Sequence, residues 1–189
     1  RAEKAQWSVV ELAQKIQQEV SRGTASGELH VPRPFKLIPK RGLLYTYRVV
    51  APDSAHRQED GDRLWIDLGF QAQCQIPEHA KGIRAESVID SKWEGGIYSV
   101  HSSKRTEADL YTYRAFIERV VDADTLLVKI DLGFGMRIRE YLRLRGIDAP
   151  ELDTAEGKKA RDFVTKELAK TDRVILTSTR SDKYGRYLA

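Results

Sequence analysis

Apolar side chains recur at helical spacing first. Val9, Leu12, Ala13, Ile16 and Val20 fall on one stripe. Ser8 and Glu11 have capping-box spacing, Trp7 and Leu12 have that of a hydrophobic staple, and Gly23 is placed to end the helix. The pattern predicts a packing helix over 8–22. Residues 22–42, rich in Gly and Pro, read as irregular connection. Further on the period drops to two, and strands are expected near 113–121, 125–132 and 136–146. A helix is predicted near 154–170, with Asp153 as a cap three residues before Glu156 and an apolar face of Ala160, Phe163, Val164 and Leu168. A strand at 173–179 and a turn at 181–185 follow.

A repeat organises the middle of the chain. Leu44-Tyr45-Thr46-Tyr47-Arg48 returns as Leu110-Tyr111-Thr112-Tyr113-Arg114, and Ile66-Asp67-Leu68-Gly69-Phe70 returns as Ile130-Asp131-Leu132-Gly133-Phe134. Asp60-Gly61-Asp62 has a counterpart in Asp122-Ala123-Asp124. In each copy alternating apolar and aromatic residues flank a Gly-containing turn, which is hairpin chemistry. We read a duplicated β-meander, the first copy over 43–100. The copies diverge after the shared hairpin: the first continues into Gln71 through Glu78 with no Arg–Asp–Pro–Glu cluster. Asp60 and Asp62 would lack metal partners and read as a solvated turn. Residues 91–109, with Gly95-Gly96 and a polar run, suit a boundary. Strand–strand–strand–helix–strand in the second copy is the opening order of a small OB-type barrel. The fold class expected is β-rich α+β: a five-stranded OB-fold β-barrel preceded by an N-terminal helix and a degenerate OB-like meander.

Composition narrows the classes of function. Hydrophobic residues make up 41% and charged residues 32% of 189, as in an ordinary globular protein. No apolar run approaches the roughly 20 residues that span a bilayer, so no membrane partner is expected. No secretory leader is visible at Arg1-Ala2-Glu3-Lys4, which leans towards a bacterial cytoplasmic location and otherwise leaves location open. Cys74 is the single cysteine, so an intrachain disulfide is excluded, and His30, His56, His79 and His101 lack zinc-ligand spacing with it. A net charge of +4 and a pI near 9.1 suit a polyanion partner.

Three clusters then suggest chemistry. They are Asp122-Ala123-Asp124-Thr125, Leu142 through Glu151, and Asp182-Lys183-Tyr184-Gly185-Arg186. Asp124 falls where one strand passes into the next and Asp148 just after the third strand. In a closed meander both can reach one rim and offer oxygen ligands to a hard cation such as calcium. Asp122 and Asp148 can equally be turn formers. Arg143 and Arg145 lie in a β-run, where i and i+2 share a face, so one or both must leave the apolar core or pair with acids. A guanidinium is a planar fork that matches phosphate oxygens, and Arg186 would bring a second fork from another direction. Glu151, behind the Pro150 turn, could order or deprotonate a water, or could be a solvated loop acid.

These clusters, in this order, resemble the staphylococcal nuclease family over about residues 111–189. The first is similar to its Asp-Gly-Asp-Thr motif with Ala123 in place of Gly. The next is similar to its Arg-rich strand leading to Asp-Thr-Pro-Glu, here Asp148-Ala149-Pro150-Glu151. The last resembles its Asp-Lys-Tyr-Gly-Arg turn, unchanged. The resemblance implies calcium at Asp124, Asp148 and the backbone carbonyl of Ala149, where the family has threonine. It implies phosphate binding by Arg143 and Arg186, general-base action by Glu151, and contact of Lys183 and Tyr184 with a terminal phosphate of the substrate. It also implies hydrolysis of DNA and RNA to 3′-phosphates. The family's barrel continues through a fifth strand and two further helices, whereas this sequence ends where that strand should begin. Residues 106–189 therefore read as a nuclease domain cut short, and 1–105 as a non-catalytic region that could supply a closing segment.

The leading expectation is a calcium-dependent nuclease. The alternative is a non-catalytic OB-type module that binds nucleic acid or a protein, and a weaker one makes the N-terminal region a homo-oligomer surface.

Overall fold

The computed structural model describes residues 7–8, 42–52, 63–171, 173–178 and 187–189. Eleven strands are present among them: β1 Trp7–Ser8, β2 Thr46–Val50, β3 Trp65–Gly69, β4 Ala72–Gln75, β5 Val88–Glu94, β6 Ile97–Ser102, β7 Thr112–Asp122, β8 Thr125–Gly133, β9 Met136–Arg143, β10 Val174–Thr177 and β11 Tyr187–Leu188. One α-helix, α1 Ala155–Leu168, accompanies them. The strands form two curled sheets, ordered β4-β3-β2-β5-β6 and β1-β10-β7-β8-β9-β11. Counted from β7, the fourth strand of the second sheet lies antiparallel to the first (β10 on β7) and the fifth runs parallel to the third (β11 on β9). That order is OB-like, as anticipated for a β-rich α+β chain.

The alternation along each strand explains the layering. In β2 the residues Tyr47 and Val49 are buried, in β3 Ile66 and Leu68, and in β8 Val128, Ile130 and Leu132. They join Leu142, Leu144, Val174, Leu176 and the α1 residues Ala160, Val164 and Leu168 in one core shared by both sheets. Each fully buried Leu or Ile contributes about 1.5–3 kcal/mol relative to exposure.

The two copies of the repeated sequence occupy matching places and grip each other. Tyr45 and Tyr111 both have left-handed φ, 61° and 57°. Tyr47 Oη donates to the Leu132 carbonyl (2.8 Å) and Tyr113 Oη to the Leu68 carbonyl (2.9 Å). Tyr45 Oη donates to Asp131 (3.0 Å), and Tyr111 Oη to Asp67 (2.8 Å). Each pair of tyrosines thus holds the hairpin turn of the other copy. Gly69 and Gly133 let the hydroxyls in: a Cβ there would sit 1.9 Å from Tyr113 Oη and 2.0 Å from Tyr47 Oη.

Several expectations change. Trp7 and Ser8 are a short strand parallel to Val174 and Ile175, and residues 9–22 of the expected helix lie outside the described residues. The stretch 91–102, read as part of a boundary, belongs to the hairpin β5–β6 with its turn at Gly95-Gly96. Polar alternation at an exposed hairpin has the composition of a loop, which is why the two are hard to tell apart in sequence. The cap of α1 is Thr154, whose Oγ1 accepts from Gly157 N, rather than Asp153. The third strand, expected to 146, ends at Arg143, and Arg145 falls in a turn where its N–H donates to the Ala189 carbonyl. Asp60, Asp62 and the turn at 181–185 lie outside the described residues.

Candidate active site

The candidate site forms where β7 ends, β8 begins and β9 ends. β7 breaks register twice near its end, between Ile117 and Arg119 and between Val120 and Asp122, and such bulges re-aim side chains. Asp122 shapes the turn, since its Oδ1 accepts from Ala123 N at 2.7 Å, which is the turn-forming role considered for it. Ala123 is fully buried. Asp124 is 5% exposed, and its Oδ1 accepts from Thr125 Oγ1 at 2.8 Å. Leu144 N donates to the Asp124 carbonyl at 2.7 Å and so fixes the end of β9 against the turn.

Arg143 joins the carboxylates. Its Nη2 lies 2.9 Å from Asp124 Oδ2 and 3.2 Å from Asp148 Oδ1. The two acids differ sharply in setting, for the Asp148 side chain is 98% exposed on its loop. Asp124 is thus held by the strand ends and Asp148 by the loop that follows β9, with one guanidinium nitrogen touching both. Ala149 is half-buried beside the core, next to Asp148 in the chain. Carboxylate and carbonyl oxygens are the donor types a hard cation takes, and one guanidinium nitrogen within reach of both acids places them near each other. Among the described residues no group of three or more His, Cys, Asp or Glu could hold a metal. A calcium site here would therefore rest on two carboxylates plus carbonyl oxygens and water.

Glu151 is exposed, and the backbone around it is built into the start of α1. Its carbonyl accepts from Thr154 N (3.0 Å) and Thr154 Oγ1 (2.7 Å). Gly157 is packed against that carbonyl so closely that a Cβ would lie 2.0 Å from Glu151 O. Sequence reasoning missed Gly157; a glycine in the first turn of a helix, where it costs stability, was the available signal. Arg186, Lys183 and Tyr184 lie outside the described residues. Tyr187, next in the chain, pairs with Leu142, and Ala189 N donates to the Arg143 carbonyl at 3.0 Å. The segment after the third cluster therefore runs beside the strand that carries Arg143.

Residues 141–189 match the family model described as Staphylococcal nuclease homologue. The matched segment holds Arg143, Asp148, Glu151, α1 and the third cluster, and it points to a nuclease-type family acting on nucleic acid. Asp124 and the first meander lie before it. No curated protein matches the chain. No helix among the described residues is long and apolar enough to cross a membrane.

Proposed function

We propose that the chain is a calcium-dependent nuclease that hydrolyses phosphodiester bonds of DNA, RNA or both. The observation that carries this reading is the contact of one arginine nitrogen with carboxylates from two remote segments. A fork suited to phosphate thereby sits against oxygen donors suited to a hard cation. Asp124, Asp148 and the Ala149 carbonyl would hold the metal. Calcium, when bound, would supply charge that polarises a phosphoryl oxygen.

The remaining roles belong to the chain. Arg143, drawn off its carboxylates by the incoming phosphate, presents two N–H groups to the oxygens that gain charge in the transition state. Arg186, just before β11 in the chain, would meet the same group. Glu151 takes the proton of the attacking water, its backbone anchored by Thr154 and Gly157. Lys183 and Tyr184 contact a terminal phosphate of the substrate.

Plasmid and RNA digestion by the full chain tests the proposal. Cleavage should require calcium and stop with a chelator; no calcium-stimulated, chelator-sensitive cleavage overturns it. A binding-only module is the second reading, favoured by a first meander that has the frame and lacks the acid–arginine cluster. Salt-sensitive binding of nucleic acid without turnover would support that reading instead.

A further inference from the structure

Along β9 the register with β8 runs unbroken from Arg143 opposite Thr125 to Arg137 opposite Asp131. Without a bulge, alternate residues keep to one face, so Arg143, Tyr141, Arg139 and Arg137 point the same way while Leu142 enters the core. Six residues at about 3.3 Å each carry this row about 20 Å from the site. On the same face Lys129 lies opposite Arg139, and Phe116 lies opposite Lys129. The aromatic members are open to solvent: Tyr141 is 44% and Phe116 36% exposed. Two carboxylates of β7 and β8 share the face and both are engaged, while Glu94, beside Trp93, lines the recess at the far end together with Asp131. Glu118 pairs with Arg139, and Asp131 accepts from Tyr45 Oη and Gly133 N. Arg137 and Lys129 are exposed and have no hydrogen-bond or ion-pair partner among the described residues.

The far end of the row meets the first meander. Gly135 N donates to Tyr98 Oη at 2.7 Å, and the Tyr98 ring lies 4.9 Å from Phe134 and 4.6 Å from Trp93. Trp93, at the tip of β5–β6, is 60% exposed. Trp93, stacked on Tyr98, thus leaves an aromatic ring open at the far end of the row.

We infer that this face is a track for single-stranded nucleic acid, leading from Arg143 along β9 to Trp93. The charge complements a phosphate backbone, and the open rings between the cations would stack unpaired bases, which a duplex keeps to itself. The inference rests on the nuclease reading for the placing of the scissile bond at the Arg143 end. It also gives the first meander a task, to hold the strand beyond the cleavage point.

Anisotropy of labelled oligothymidylate and oligouridylate of about 12 nucleotides, a length within the span of an OB-type unit, tests it with the full chain in EDTA over a salt series. The double variant Lys129→Gln, Arg137→Gln should raise Kd at least tenfold. It should also lower the salt slope by about 1.4, at about 0.7 per single-strand phosphate contact. Trp93→Ala should weaken the long oligonucleotide about tenfold, within the range for loss of one stacked base, and leave a dinucleotide unaffected. Unchanged Kd and slope in the double variant overturn the track, as does tighter binding of a duplex of equal length. Calcium-dependent hydrolysis of bis(p-nitrophenyl) phosphate reports the site alone and should be the same in these variants. Oligonucleotide binding with the expected slope loss but no hydrolysis of that diester leaves the track and removes the nuclease reading. Hydrolysis with variants that bind as the parent does the reverse.

Discussion

In the first sheet β4 stops at Gln75, whereas in the second β9 runs on to Arg143, although both strands leave their turns in the same register. Gly69 pairs with Ala72 as Gly133 pairs with Met136, and Asp67 with Gln73 as Asp131 with Arg137. Sixty-four positions separate the copies here, so Pro77 stands where β9 has Tyr141. Proline offers no N–H to the ladder and ends the pairing. Past it the first copy has a loop, in which His79 Nε2 bonds the Tyr98 carbonyl (3.0 Å); the second has Asp148, Glu151 and α1. A shared frame thus carries the acid–arginine cluster only where one strand continues beyond the point at which its counterpart stops. On the proposed reading, function is grafted on the end of the frame and does not come with it.

The largest effect that tests this contrast is at Arg143. Arg143→Lys keeps a charge against the buried Asp124, so the fold is spared an uncompensated carboxylate. It removes the two-pronged contact with phosphate. Cleavage should fall about 10²–10³-fold with little change in melting temperature. Gln75→Ala, in the strand that stops short, should leave the rate unchanged. Comparable rate losses in the two variants would break the assignment of chemistry to the second unit alone.

The interlock gives the next largest effect. Gly69 and Gly133 both have positive φ, 75° and 84°, and both face a tyrosine hydroxyl. Alanine at either combines backbone strain with overpacking, together costing about 3 kcal/mol. If the two turns are held equivalently, urea unfolding should give losses equal to within about 0.5 kcal/mol, the usual scatter for independent sites. A loss at Gly133 alone would mean that the first meander rests on the second without being locked by it.

Much of this arrangement was legible in the chain, and what was not is non-local. Period-two alternation placed β7, β8 and β9 within a residue or a few, because each strand buries one continuous set of side chains. The strand pattern left Arg143 either to leave the core or to pair with acids, without saying which acids, and Arg143 meets both Asp124 and Asp148. Asp153 and Thr154 are both good caps, and only the observed start of α1 chooses between them. Tyr47 and Leu132 are 85 residues apart, so the identical pentapeptides gave no hint that each copy grips the other. Arg145 has strand spacing from Arg143 in sequence, yet β9 ends because Leu144 N turns to the Asp124 carbonyl.

Gly157 sharpens the contrast from the side of the second unit, which alone has a helix behind its acid loop among the described residues. Gly157→Ala would place a methyl group against the Glu151 and Pro150 carbonyls. Backbone cannot yield as a flexible side chain would, so the loop must shift, at a stability cost of about 1–3 kcal/mol. Moving the proposed base without touching the arginine should lower kcat about tenfold and leave KM for nucleic acid nearly constant, since a small misplacement weakens catalysis more than binding. A raised KM with kcat retained would instead place Glu151 in substrate binding.

The smallest effect concerns the tyrosine hydroxyls that join the copies. Burial, and then the nearby Asp67, push the Tyr111 hydroxyl up to about 12. Burial and Asp131 raise Tyr45, and burial lifts Tyr47 and Tyr113 well above their ordinary range. In the folded chain these groups keep their protons at a pH where unfolded tyrosines, near 10, release theirs. Between those values the unfolded state binds fewer protons, so stability declines as pH rises. The urea midpoint should be flat below about pH 10 and drop on approach to pH 12, the window set by those two values. Tyr111→Phe should make the drop shallower, and so should Tyr45→Phe, because each removes one of a matched pair. A decline flattened by only one of the two would show that the pair at Asp67 and the pair at Asp131 do not contribute alike, and the symmetry of the interlock would then be one of shape without equal energy.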